Sequence, residues 1–354
     1  MARFLLVTHI YPPAIDGGSR VIAKMGEYFR SQGHEIMVLT SDATSTDDFT
    51  HAYQRVNNPG LPVYTTFHRP LKLISKVLSK GPIFKIVPFF KFLFLCFKFK
   101  PDYIIAGPMP TTTILYARLI RLFTHSKLII NASFHPTDPE FHQPILINTL
   151  KSADFVWTLT DFETNYFHKN FGIPKSKLIN IGNGIDSSLI TKSPTIVKNK
   201  LLFIGSFSAH KGLETLFAAF KLLPKKYSLT IAGNPTLHKL NIPKNIKVLT
   251  NFKSKKLAHI IDQCSILISP STQESFGLVL LEAMARGKPV IAANIPASAE
   301  LVKKSKGGLL FEPGNPQDLA AKILKISLDR HGLSYAINHT WDKIGESLWQ
   351  KISS

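Results

Sequence analysis

The sequence predicts an α/β protein built from two Rossmann-like, doubly wound domains in tandem. Three observations carry that reading. The chain of 354 residues is long for one compact domain and suits two of roughly 150 to 190 residues. Short apolar runs rich in Val, Ile and Leu recur without polar alternation, as in parallel strands buried on both faces. Longer amphipathic stretches such as residues 19–32 separate several of them, which is the βαβ signature.

The first series of strands is expected at residues 4–8, 35–40, 62–67, 103–107, 128–133, 155–160 and 178–182. A polar, lysine-containing interval at 187–200 follows, and the series restarts at 201–205, 228–233, 246–249, 265–269, 289–293 and 308–311. The expected division is an N-terminal domain over 1–186, a C-terminal domain over 187–332, and a closing segment over 333–354. In that segment Ile337, Trp341, Ile344, Leu348 and Ile352 recur three or four apart, which predicts one amphipathic helix over 335–352 able to pack on either domain.

Composition narrows the classes. Hydrophobic residues at 44% and charged residues at 19% supply two cores and give no case for disorder. Cys96 and Cys264 lie in different halves without a CxxC partner, which disfavours a disulfide framework or a structural zinc and fits a reducing, cytoplasmic setting. The opening MARFLLVTHIYPP reads as a first strand and not as a signal peptide. The net charge of +20 favours polyanionic partners: nucleic acid, anionic lipid or phosphorylated substrates.

In paired sheets of this kind ligands sit at the carboxyl ends of the strands, so an interdomain cleft is expected. In the loop HIYPPAIDGGSR, Gly17 and Gly18 precede a helix, and exposed amides there suit a phosphate or sugar oxygen; a plain tight turn explains the pair equally well. There is no GxGxxG, and only Asp42 could close the second strand as a ribose ligand, so an NAD-dependent protein is a minor alternative. The densest signal is SPSTQESFGLVLLEAMARGKPVIAAN. Glu274 follows a strand and Glu282 comes eight positions later. A helix is expected from Gly277 to Gly287, with the amides of Phe276, Gly277 and Leu278 at its positive end.

Glu-x7-Glu followed by AMARGKPVIA resembles the donor-binding signature of the retaining glycosyltransferase family called GT4, which has the GT-B architecture of two Rossmann-like domains facing a cleft. DGGSR, QGHEIMVLT, INASFH, GNGID, IGSFSAHKG and the closing helix with Trp341 extend the resemblance over most of the chain. It implies a nucleotide-diphosphate sugar as donor. Glu274 would lie against the donor sugar hydroxyls and Glu282 would bond the nucleotide ribose. Lys211 would neutralise the diphosphate, His135 would contact the sugar near the reacting carbon, and Gly17 and Gly18 would let the first loop approach the phosphates. The implied mechanism is a front-face substitution in which the departing phosphate oxygen takes the acceptor proton, a chemistry that demands stabilisation of a leaving dianion. No Asp-x-Asp occurs, so no metal or other cofactor is expected.

One position departs from the family. Ser206, in IGSFSAHKG, stands where an arginine usually follows the glycine. A hydroxyl lacks the charge and bidentate fork of a guanidinium. Either another cation, with Arg20 as candidate, assists Lys211, or the enzyme is slow or inactive and the chain is a binding or scaffold protein. Taken singly, His135 would read as a structural histidine, Glu282 as a solvated helix residue, Lys211 as a surface lysine and Asp186 as an Asx-type turn former. Base selectivity is expected from loops around residues 250–252 and 205–206.

The acceptor side offers residues 69–100, with eight basic residues, no acidic one, and seven phenylalanines between Phe84 and Phe99. Lysines and Pro88 interrupt the run at 83–99, which disfavours a membrane span and allows a helix lying in the interface, through Lys85, Phe89, Phe90, Lys91, Phe94 and Lys98. A core helix with snorkelling lysines fits the same pattern. The interfacial reading points to a lipid-linked or lipopolysaccharide-type acceptor at the inner face of the cell membrane. The charge would also suit a nucleic-acid binder, but no reader motif is present and phosphate binding alone does not require the Glu pair.

Overall fold

The computed structural model describes residues 1–9, 11, 17–41, 63–66, 69–70, 85–86, 89–111, 113–195, 197–236, 240–252, 254–327 and 331–354. The chain forms two compact units, Met1–Gly182 with Ile344–Ser354, and Asn183–Lys343.

The first unit is organised on a parallel sheet of seven strands: β1 (Arg3–Val7), β2 (Glu35–Ser41), β3 (Val63–Thr66), and then, past a two-strand ribbon, β6 (Tyr103–Ala106), β7 (Lys127–Asn131), β8 (Phe155–Thr158) and β9 (Leu178–Asn180). The ribbon pairs β4 (Arg69–Pro70) antiparallel with β5 (Lys85–Ile86). The sheet order is β3-β2-β1-β6-β7-β8-β9, so the chain winds outward from β1 in one direction and then in the other. Such a reversal leaves a crevice beyond the carboxyl ends of β1 and β6. The second unit repeats the plan with β10 (Lys200–Ile204), β11 (Ser228–Ala232), β12 (Lys247–Leu249), β13 (Ile266–Ser269), β14 (Val290–Ala293) and β15 (Gly308–Phe311), in the order β12-β11-β10-β13-β14-β15. Every residue of β13 and β14 is buried, because helices cover both faces of a parallel sheet.

Local chemistry sets the helix ends. Thr160 caps the Asp161–Phe171 helix through a 3.0 Å bond from the Glu163 amide, and Gly172 closes it in the left-handed region. Asn315 caps the Pro316–Lys325 helix in the same way, accepting from the Asp318 amide at 3.0 Å.

The closing segment corrects the expectation of one helix over 335–352. It forms two, His331–Ile337 and Trp341–Ser353. The break arises because Ile185 pairs with Thr340: its amide donates to the His339 carbonyl, and the Trp341 amide donates to the Ile185 carbonyl, both at 3.0 Å. Ile337 is therefore exposed, whereas Ile344, Leu348 and Ile352 are buried. Trp349 lies against His34, Tyr103, Phe4 and Phe29, with ring centroids 4.8 to 6.1 Å apart, and Lys127 Nζ donates to the Ile352 carbonyl at 3.0 Å. The last turns thus complete the core of the first unit.

His34 makes this packing sensitive to acid. Its Nδ1 accepts from the Ala2 amide at 3.0 Å, a bond that protonation abolishes. Burial first, and the N-terminal ammonium second, hold its pKa below the ordinary value, and burial does the same to His339. A depressed folded pKa makes the stabilisation complete above the unfolded histidine value of about 6.5 and lost as pH falls through the folded one. Thermal midpoints are therefore expected to fall as pH drops below about 6.5, and His34→Gln to flatten part of that slope. A slope unchanged in the variant would show that other groups carry it.

Cys96 and Cys264 are free and buried, and burial pushes both thiols up to about 12. Thiolate is the reactive form. Neither cysteine is expected to react with a disulfide reagent at pH near 8 until the chain is unfolded; rapid native labelling of either would contradict the packing.

Candidate functional site

In the second unit the loops after β10 and β13 meet. The Thr272 amide donates to the His210 carbonyl at 2.8 Å and its hydroxyl to the same oxygen at 3.2 Å. That crosslink places Lys211 Nζ 2.6 Å from Glu274 Oε1, with both side chains largely buried. Gly212 makes the approach sterically possible: it sits at φ +67°, and a Cβ there would lie 2.1 Å from the Pro270 carbonyl oxygen. Ser206 is exposed on the first of these loops, its Oγ 3.1 Å from Ser208 Oγ.

The helix expected between Gly277 and Gly287 runs over Leu278–Ala285, with Gly277 as its left-handed N-cap at φ +93°. No side chain caps this end, and amides in a first helical turn have no intrahelical acceptor. Phe276 is buried, and the amides of 276–278 belong to this first turn. Glu282 lies just over one turn into the helix and is 4% exposed, among buried Leu280, Leu281, Ala283, Met284 and Ala285. The solvated-face alternative for Glu282 is thereby corrected: the helix is apolar all round and enters the core. An ionised carboxylate at that depth requires hydrogen-bonding partners, from the protein or from a ligand.

The loops after β10, β11 and β12 are also tied together. The Phe207 amide donates to the Asn234 carbonyl at 3.0 Å, and the Asn251 amide donates to Asn234 Oδ1 at 2.9 Å. Asn234, which sequence reasoning missed, thus joins Asn251 to Phe207, the residue after Ser206.

The cations of AMARGKPVIA serve the scaffold. Arg286 holds Asp262 in a fork, Nε to Oδ1 at 2.8 Å and Nη2 to Oδ2 at 2.6 Å, and donates from Nη1 to the Leu189 carbonyl at 3.2 Å. Lys288, buried and with its pKa lowered by that burial, donates to the Thr195 carbonyl and hydroxyl, each at 2.9 Å, and to the Asp262 carbonyl at 3.1 Å. These bonds fasten the stretch from Leu189 to Thr195 beneath the site helix. Asp186 does not act as an Asx former for the adjacent 3-10 turn: its side chain caps no amide there, and the Leu189 amide bonds its main-chain oxygen instead.

In the first unit Gly17 and Gly18 begin the Gly17–Ser31 helix, and a Cβ on Gly18 would lie 2.4 Å from Pro108 Cγ at the end of β6. His135 is half-buried after β7, its ring 5.6 Å from that of Phe141. Glu163, unforeseen from sequence, is buried and accepts from the Phe134 amide at 3.2 Å and the Leu159 amide at 2.6 Å, so one carboxylate fixes the ends of both β7 and β8 beside His135.

The basic, phenylalanine-rich stretch is shorter as a helix than expected. Lys85 belongs to β5, and the helix spans Phe89–Phe99, so Phe89, Phe90, Lys91, Phe94 and Lys98 are on it and Lys85 is not. Residues 83, 84, 87 and 88 lie outside the described residues. Cys96 is buried, Leu95 and Phe99 pack on the core, and Phe94 and Lys98 are exposed. Among the described residues no helix is long and apolar enough to cross a membrane.

Comparison with known proteins bears on the family and the fold. The chain is 28% identical over 207 residues to an uncharacterized glycosyltransferase of Methanocaldococcus jannaschii, a match spanning 54% of this chain and 57% of the other. It is 25% identical over 275 residues to O-antigen chain mannosyltransferase B of Escherichia coli, covering 68% and 71%. The crystal structure of Anabaena HepE in complex with UDP and glucose superposes with a TM-score of 0.77 at 18% identity over 100% of both chains. The family model for Glycosyltransferase Family 4 matches residues 15–189, and that for Glycosyl transferases group 1 matches residues 191–343. The two matches take up nearly the whole chain and divide it between its two sheets, and the chain belongs to the group 1, family 4 glycosyltransferases of GT-B fold.

Proposed function

We propose that this chain transfers a hexose from a nucleotide-diphosphate sugar to an acceptor presented at a membrane surface, with retention of configuration and without a metal. The observation that carries the donor assignment is the 2.6 Å Lys211–Glu274 pair beside the uncapped Leu278–Ala285 helix. A diphosphate and the hydroxyls of its sugar are the groups that match this set: Lys211 and the helix amides face the anion, and Glu274 accepts from hydroxyls. Glu282 bonds the ribose. The binding of UDP and glucose by HepE and the mannosyl transfer named for the Escherichia coli relative fit the same donor class.

In the reaction the bond from C1 to the phosphate oxygen breaks as the acceptor oxygen bonds C1 on the same face, and the acceptor proton passes to the departing phosphate. Charge grows on the leaving diphosphate, where Lys211 and the amides lower its energy. The parts implied for Gly17, Gly18 and His135 belong to this same proposal, as does the lipid-linked nature of the acceptor. Full activity in the presence of a chelator is expected, and loss of transfer on chelation would refute metal independence.

The deciding experiment is a thermal-shift series with UDP- and GDP-sugars. A ligand at 100 times its Kd raises apparent stability by about 2.7 kcal/mol. Glu282→Gln and Lys211→Ala should each remove the shift seen with the wild type. A shift unchanged in both would place the nucleotide elsewhere.

A further inference from the structure

Exposed large apolar side chains concentrate in one place among the described residues. On the Phe89–Phe99 helix, Phe94 is 69% and Phe97 46% exposed. On the Thr113–Thr124 helix, Leu119 is 37%, Leu122 64% and Phe123 46% exposed. Spacings of three and four put each set on one face of its helix, while Ile114, Ala117 and Ile120 bury the opposite face of the second. The Phe97 and Phe123 rings meet edge to face at 6.2 Å, so the two faces join into one surface of the first unit. A helix apolar on both sides has a second partner, and a contiguous exposed patch of this kind marks an interaction site.

The charge around the patch identifies the partner. Between Asp48 and Asp138 the sequence holds a single acidic residue, Asp102. That carboxylate is engaged by the Arg3 amide at 2.7 Å and by Arg3 Nε at 3.7 Å. Lys98, Lys100 and His125 are exposed and Arg118 is half-exposed on or next to the same two helices. From outside that stretch Asp154 engages Arg121 of the second helix at 2.8 Å. Lys98, Lys100, Arg118 and His125 then border the aromatic and leucine side chains and complement an anionic bilayer: the rings enter the headgroup region and the cations meet lipid phosphate. We propose that the Phe89–Phe99 and Thr113–Thr124 helices together form a docking surface for anionic membrane, with Phe94, Phe97, Leu119, Leu122 and Phe123 as the inserting residues. The second helix was not foreseen in the sequence, because its LIRLF run reads equally as core. The surface is independent of the donor site, so its failure leaves the transferase reading intact.

The test is sedimentation of the full chain with vesicles of phosphatidylglycerol and phosphatidylcholine, against phosphatidylcholine alone. Binding to the anionic vesicles is expected, falling with salt. Leu122→Ser/Phe123→Ser should weaken it about tenfold or more, with an unchanged thermal midpoint and an unchanged nucleotide-sugar thermal shift. Lys98→Gln/Lys100→Gln/Arg118→Gln should weaken it and remove its salt dependence. No binding to anionic vesicles at low salt, or full binding by the Leu122→Ser/Phe123→Ser variant, overturns the proposal. So does a wild-type dimer in ultracentrifugation that this variant renders monomeric, since the surface would then belong to a second copy of the chain.

Discussion

Lys211→Ala is expected to lower kcat by about 10²- to 10³-fold, the usual cost of deleting one preorganised group that faces developing charge. In the resting site the ammonium is 2.6 Å from Glu274 Oε1, so the cation is already desolvated and oriented before donor binds. Its attraction for the diphosphate strengthens as the bond to C1 breaks and the leaving group gains charge. The loss should therefore appear in kcat as well as in kcat/KM; a change confined to KM would mean that Lys211 binds ground state and transition state equally. The substitution also leaves Glu274 largely buried without its ammonium, so the thermal midpoint of the variant has to be measured beside its rates. Lys211→Arg keeps the charge but moves it on a longer planar head, and an intermediate rate is expected of it.

The strands were legible because parallel strands under helices need apolar side chains on both faces, and β13 and β14 show that pattern in every residue. Their ends were less legible, since Gly205 and Gly233 lie just past β10 and β11 and yet still donate to Ala232 and Leu249, the last residues of the neighbouring strands. The Glu274 and Glu282 positions were visible as a spacing, but the burial of Glu282 was not. The apolar residues on all sides of LVLLEAMA do mark a helix that enters the core, but a single glutamate among them reads as its one solvated position. Glu163, Asn234 and Thr272 escaped notice for a different reason. Each bonds a main-chain group 17 or more positions away, Phe134 for Glu163, Asn251 for Asn234 and His210 for Thr272, and such a bond leaves no residue-type signature at its partner. The roles of Arg286 and Lys288 depend likewise on carbonyls of Leu189, Thr195 and Asp262 that only the fold brings to them. In the closing segment the apolar periodicity was real, yet main-chain pairing with Ile185 interrupted the helix without disturbing that periodicity.

Ser206→Arg is expected to raise kcat/KM for the nucleotide sugar by about tenfold or more, since a charge-assisted hydrogen bond to phosphate contributes about 1.5–3 kcal/mol. Ser206 is exposed, with its Oγ 3.1 Å from Ser208 Oγ, so a longer side chain displaces nothing from the core. The gain should be larger at low ionic strength and should appear partly in kcat, because a guanidinium beside Lys211 shares the charge of the departing diphosphate. If the rate is unchanged, another cation already fills that part in the wild type, and the site is complete as it stands. A fall in rate would mean that the Ser206–Ser208 pair itself contacts the donor. A rise in nucleotide-sugar affinity with no transfer before or after the substitution would support the reading of the chain as a binding protein, because charge stabilisation of the leaving group would then not be what limits it.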